Sequence, residues 1–108
     1  SHTRGAVAAA VSQQPVGVDV ERADRQIPMK LRQRYLTAAE QAYAADAKRF
    51  LEIWTRKEAL LKRDGRLQMP FRMMETCGRP DIVTAEENGF LFSFCGQPAS
   101  FRLVIVSL

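Results

Sequence analysis

The stretch "AKRFLEIWTRKEALLKRDG", residues 47–65, decides how the rest of the chain is read. Phe50, Ile53, Trp54, Leu60 and Leu61 recur along one side at helical spacing, and Gly65 stands where a helix commonly stops. Just upstream, "TAAEQAYAADA" opens with Thr37 and carries Glu40 three residues on, the pattern of a capping box. Before that, "PMKLRQRYL" (28–36) has Met29, Leu31, Tyr35 and Leu36 near helical spacing, with Pro28 tolerable in a first turn.

Outside this helical centre the period changes from 3.6 to 2. "VGVDVE" (16–21) alternates β-branched residues with others, a strand signal. "GAVAAAVS" (5–12) is small and apolar, open to either strand or helix, and "SQQP" (12–15) reads as a turn. Taken as a pair, the two segments suggest a hairpin. Downstream, "RLQMPFRMM" (66–74) reads as a loop and "GRPD" (78–81) as a turn. "FLFSFCG" (90–96) and "SFRLVIVSL" (100–108) read as strands around a turn at Gly96–Ala99. The order β-β-α-α-α-β-β predicts one α+β domain over residues 1–108: an antiparallel sheet with helices packed on one face.

Composition narrows the function classes. With 108 residues, 46% hydrophobic and 26% charged, the chain is an ordinary globular sequence. No run approaches the length of a membrane span, and no secretory signal is visible, so a cytoplasmic protein with no membrane partner is expected. Cys77 and Cys95 lack metal or redox spacing and read as structural thiols. The net charge of +4 favours an acidic partner. Nucleic acid is not expected, because no recognition helix or basic strand face with interleaved aromatics is present. A Walker loop and a dinucleotide fingerprint are absent, and a single histidine, His2, rules out a multi-histidine metal site.

Two constellations carry chemistry. On a strand, Asp19 and Glu21 point to one face while Val18 and Val20 point into a core. Like charges so placed repel unless offset, either by solvent and a neighbour such as Arg22 or Arg25, or by a hard divalent cation. On the long helix, Trp54, Glu58 and Lys62 lie at i, i+4 and i+8 on one face. An acid four residues before a lysine is also the ordinary surface pair of any helix. Lys57, Arg56 and Arg63 add positive charge suited to an anionic ligand, and Glu58 is able to complete a metal site. The "SHT" at 1–3 offers hydroxyls and an imidazole to a phosphate, although chain ends are often disordered.

Together, "SHT", "VGVDVE", "RYLTAAE" and "WTRKEALLKRDG", in this order and at these separations, resemble the 4′-phosphopantetheinyl transferases, of the longer type that activates peptide and polyketide synthases. The resemblance implies transfer of the phosphopantetheine arm of coenzyme A to a serine of an acyl or peptidyl carrier protein, with release of 3′,5′-ADP. It implies Mg²⁺ (or Mn²⁺) on Asp19, Glu21 and Glu58, and coenzyme A held by Ser1, His2, Lys57 and Lys62. It further implies catalysis by Glu58 and Lys62, with Glu40, which matches the glutamate of the family's F-x-x-x-E segment, as a second base candidate. Trp54 would pack beneath the site. Two departures stand out: "GRLQMP" lacks the second glycine usual after the lysine, and the likeness is to the second half of a two-half enzyme. An N-terminal half or a homo-oligomer would supply the facing surface. A catalytically inactive relative that binds coenzyme A or a carrier protein is the alternative.

Overall fold

A computed structural model describes residues 1–10, 14–65 and 70–96 and the backbone of Val106–Ser107. Strands β1 (His2–Thr3) and β2 (Ala6–Val7) form a small hairpin, followed by β3 (Gly17–Arg22). Three helices follow: α1 (Arg32–Tyr35), entered through a 3-10 turn at Met29–Leu31, then α2 (Ala38–Tyr43) and α3 (Ala47–Asp64). Strands β4 (Ile82–Glu87), β5 (Phe90–Cys95) and β6 (Val106–Ser107) complete the order. The strands pair antiparallel in two sheets, β1-β2-β6 and β3-β5-β4. The expected α+β class with antiparallel strands and packed helices is what the chain adopts, with two sheets in place of one.

The helix ends form where the side chains dictate. Thr37 Oγ1 accepts from the Glu40 amide while Glu40 Oε1 accepts from the Thr37 amide, so the capping box closes at both ends. Asp46 caps α3 through the Arg49 amide, and Gly65 ends it at φ 70°, a left-handed conformation that glycine adopts without a Cβ clash.

The central sheet is covered on both faces, which is why β5 is buried almost throughout. One face packs on α3: Leu91 joins Ile53 and Phe50, and Cys95 joins Ala59 and Leu60. Between these clusters the Ser93 hydroxyl bridges Thr55 (2.8 Å) and Thr84 (2.9 Å), so the buried hydroxyls satisfy one another. The opposite face packs Val18, Val20 and Phe92 against Ala6 and Ala8 of the N-terminal segment. Asp19 pairs with Ser93 across β3 and β5, and thus faces α3.

One strand expectation is corrected. Residues 5–12 and 16–21 do not form a hairpin: β2 pairs with β1 and β6, and β3 pairs with β5 over its full length, from Gly17↔Cys95 to Arg22↔Phe90. The small side chains of Ala6 and Ala8 serve to lie over the sheet rather than to extend it. Of the C-terminal tail, Val106–Ser107 is described, as β6, and it joins β2, while β3 and β4 take the two edges of β5. The turn expected at Gly96–Ala99 falls largely outside the described residues, as do all of 66–69 and most of the tail.

Gly17 is where β3 meets α3 most closely. A Cβ built there would lie 1.9 Å from the Ala59 carbonyl oxygen and 2.4 Å from the Arg63 amide nitrogen. Both obstacles are backbone and cannot swing aside. Gly17→Ala is therefore expected to cost about 2–3 kcal/mol, the upper range for overpacking. Urea denaturation measures it, and a cost below about 0.5 kcal/mol, the level of a neutral surface change, would show the strand free to shift.

Candidate active site

The close approach at Gly17 sets Asp19, two residues along β3, against the last turns of α3. Asp19 Oδ1 receives the Lys62 ammonium at 2.8 Å and the Ser1 hydroxyl at 3.1 Å. Ser1 Oγ also accepts from Lys62 Nζ at 3.1 Å and from the Val20 amide at 3.3 Å. The N-terminal segment is held in place by backbone bonding between Ser1 and Ala8 in both directions. Asp19 Oδ2 has no hydrogen-bond partner although it is buried, the sole such side-chain oxygen or nitrogen among the described residues. An unsatisfied buried carboxylate oxygen is costly, and is a group that wants a cation or a donor.

Glu21, on the same face of β3, is held by Arg25 at 2.5 Å and approached by the Thr3 hydroxyl at 3.5 Å. Glu58 comes from α3, one turn before Lys62, and makes no hydrogen bond or ion pair among the described residues. Burial pushes its carboxyl above the ordinary glutamate value; the nearby charge of Asp19 adds to this, Lys62 opposes it, and Glu21 and Arg25 contribute smaller effects of opposite sign. Asp19, Glu21 and Glu58 thus feel one another across the strand–helix junction. Their three carboxylates do not converge closely enough to form a metal cluster as they stand: among the described residues no group of three such side chains does. The donor set nevertheless suits a hard cation, with hard oxygens throughout, one of them buried and free.

The raised Glu58 pKa has a stability consequence. Folding favours the protonated acid, so the contribution is fully present below the ordinary glutamate value and is lost as pH rises through the folded value. Glu58→Gln removes the ionised form and is expected to raise the metal-free melting temperature by a few degrees near neutrality, with no gain at pH 4. Equal melting temperatures at both pH values would show that Glu58 is not destabilised by its surroundings.

A second polar cluster lies on another side of α3, where Lys57, about 100° around the helix from Glu58, enters the interior. Lys57 and Glu40 are both fully buried and paired at 2.7 Å. Lys57 donates its other bonds to the carbonyls of Phe71 (2.5 Å) and Met74 (2.6 Å), which uses all three ammonium protons. Glu40 Oε1 also takes the Thr37 amide, and Oε2 takes the amide and hydroxyl of Thr76. Lys57, expected on a coenzyme phosphate, and Glu40, expected as a base, are here bonded to each other and to main-chain groups. Both groups are saturated inside the fold, where together they fasten α2 and the 70–76 segment to α3.

The remaining expected residues are placed as follows. Ser1 sits at Asp19 and Lys62. His2, exposed on β1, makes no side-chain hydrogen bond or ion pair among the described residues. Trp54 stacks edge-on against Tyr35 and Phe71, each at 5.6 Å between ring centres. Thr76 was missed; it is 36 residues from Glu40, and no local pattern marks it.

No curated protein and no solved structure matches this chain. A family model described as the 4′-phosphopantetheinyl transferase superfamily matches residues 15–105, a span that holds Asp19, Glu21, Glu58 and Lys62 but not Ser1 and His2. With most of its length so matched, and with an α+β fold that sets those four residues around one strand–helix junction, the chain belongs to the 4′-phosphopantetheinyl transferase superfamily.

Proposed function

We propose that this protein transfers the 4′-phosphopantetheine arm of coenzyme A to a serine of an acyl or peptidyl carrier protein. Asp19, Glu21 and Glu58 would hold a divalent cation, Mg²⁺ or Mn²⁺, whose charge would neutralise the pyrophosphate of coenzyme A. The observation that carries this reading is the buried Asp19 Oδ2 beside Glu58, both without a hydrogen-bond partner among the described residues. Lys62, on the same face of α3 as Glu58, would contact the pyrophosphate and stabilise the departing 3′,5′-ADP. In the reaction the serine oxygen forms a bond to the phosphorus bearing the pantetheine arm. The bond from that phosphorus to the ADP oxygen breaks, and the serine proton passes to Glu58.

Ser1 would act by orienting Asp19 and Lys62. His2, exposed beside Ser1, is the residue available to a terminal phosphate of coenzyme A. The facing wall of the site would come from a second copy or a preceding half, which the particle mass in solution tests. The direct experiment incubates the protein with coenzyme A, Mg²⁺ and several apo carrier proteins, and follows the carrier mass. A mass gain of one phosphopantetheine is expected, and no gain on any carrier, with the particle assembled, overturns the proposal.

One observation favours a binding-only relative: Lys57, expected on coenzyme A, has no donor left to give. Calorimetric binding of coenzyme A without carrier labelling would establish that alternative.

A further inference from the structure

We infer that Lys62 is an exchangeable counterion of Asp19, which leaves when a divalent cation arrives and is thereby released to an anionic ligand. The inference rests on the metal reading proposed above and adds what the chain does before the metal binds. Asp19 and Lys62 are unequal partners: the Asp19 side chain is 7% exposed and that of Lys62 is 41% exposed. A lysine ammonium at that exposure regains water when it leaves. The buried carboxylate does not, and its second oxygen already lacks a partner. Asp19 therefore keeps Lys62 until another cation replaces it.

The surrounding charges point the same way. Three carboxylates, Asp19, Glu21 and Glu58, face two cations, Lys62 and Arg25, and Arg25 is engaged by Glu21. The side chains of the metal-free junction thus sum to a net negative charge, which disfavours an anionic ligand. One divalent cation reverses that sign and leaves the Lys62 ammonium unpaired on the same helix face as Glu58. The Ser1 hydroxyl, which donates to Asp19 and accepts from Lys62, aligns the pair for this exchange. Metal and anionic ligand should then bind cooperatively, each raising the affinity of the other by the same factor.

The test is a Mn²⁺ titration read as free Mn²⁺ by electron paramagnetic resonance, with and without coenzyme A, on the wild-type chain and on Lys62→Met. Without coenzyme A, Lys62→Met is expected to bind Mn²⁺ about five- to ten-fold tighter, because the competing cation is gone. Coenzyme A is expected to tighten Mn²⁺ binding to the wild-type chain and to have a much smaller effect on the variant. A second readout uses Mg²⁺ and the ¹⁵N resonances of the lysine ammonium groups: the Lys62 signal moves on addition of metal while that of the enclosed Lys57 stays. A variant that binds Mn²⁺ no tighter than wild type, or a Lys62 signal unmoved at saturating Mg²⁺, overturns the exchange and leaves the metal site standing. Absence of Mn²⁺ binding by both chains, with or without coenzyme A, overturns the metal reading and the exchange together.

Discussion

Lys57→Met lowers the unfolding free energy by about 3–5 kcal/mol, the cost of breaking a buried ion pair by removing one partner. The substitution keeps most of the side-chain volume, so the loss is polar rather than steric. It leaves the fully buried Glu40 carboxylate without its cation, the buried Met74 carbonyl without its donor, and the Phe71 carbonyl with the Met74 amide alone. For a domain of this size the melting temperature should fall by about 15–25 °C, which consumes much of an ordinary stability of 5–15 kcal/mol. Adding Glu40→Leu should recover only part of the loss. The Thr76 hydroxyl, the Thr37 amide and the Met74 carbonyl would still lack the partners they have now. Thermal denaturation of the single and double variants decides the matter. A single-variant loss below about 1 kcal/mol would mean that Lys57 is not the buried strut described, and would favour its assignment to the coenzyme.

The two glutamate–lysine pairs show what sequence patterns convey and what they leave out. Glu58 and Lys62 lie four apart, and Glu40 lies three after Thr37; the helix face and the capping box follow from that spacing alone. The face to which each lysine turns does not. Lys57 and Lys62 both sit on α3 among other cations, and a position list gives them the same role. Their surroundings come from segments far along the chain: Phe71, Met74 and Thr76 for Lys57, Ser1 and Asp19 for Lys62. Long-range packing, rather than local propensity, separates the buried lysine from the half-exposed one.

The strands divide in the same manner. β3 was readable because Val18 and Val20 alternate with Asp19 and Glu21, and the strand has a core on one side and a site on the other. β4 escaped, since "IVTAEE" buries only Ile82 and carries little alternation. A local signal was present nonetheless. Asn88 and Gly89 follow directly, both with positive φ (53° and 81°), and they join Glu87 to its partner Phe90 as a two-residue hairpin turn. Asn-Gly before an aromatic run was the available mark of that hairpin. The partner of β2 was not available in this way, because its pairing with Val106–Ser107 spans most of the chain.

Asp19→Asn and Glu58→Gln are each expected to slow carrier labelling by about 10²–10³-fold, the usual loss when one group that stabilises developing charge is removed. The two should differ in every other respect. Asp19→Asn replaces the acceptor of Lys62 and Ser1 with a neutral amide, weakening the contact between β3 and the end of α3. Its stability is expected to fall modestly. Glu58→Gln removes a carboxylate that burial and its acidic neighbours oppose, so the folded chain gains stability at neutral pH while it loses activity. A residue kept at a cost in stability and indispensable for the reaction is what a functional acid should be. Labelling rates measured at saturating coenzyme A and Mg²⁺, alongside melting temperatures, separate the cases. Normal rates in both variants would remove the metal assignment. A slow Glu58→Gln that is also destabilised would mean that Glu58 serves the fold, and that the loss of rate came from a disturbed junction between β3 and α3.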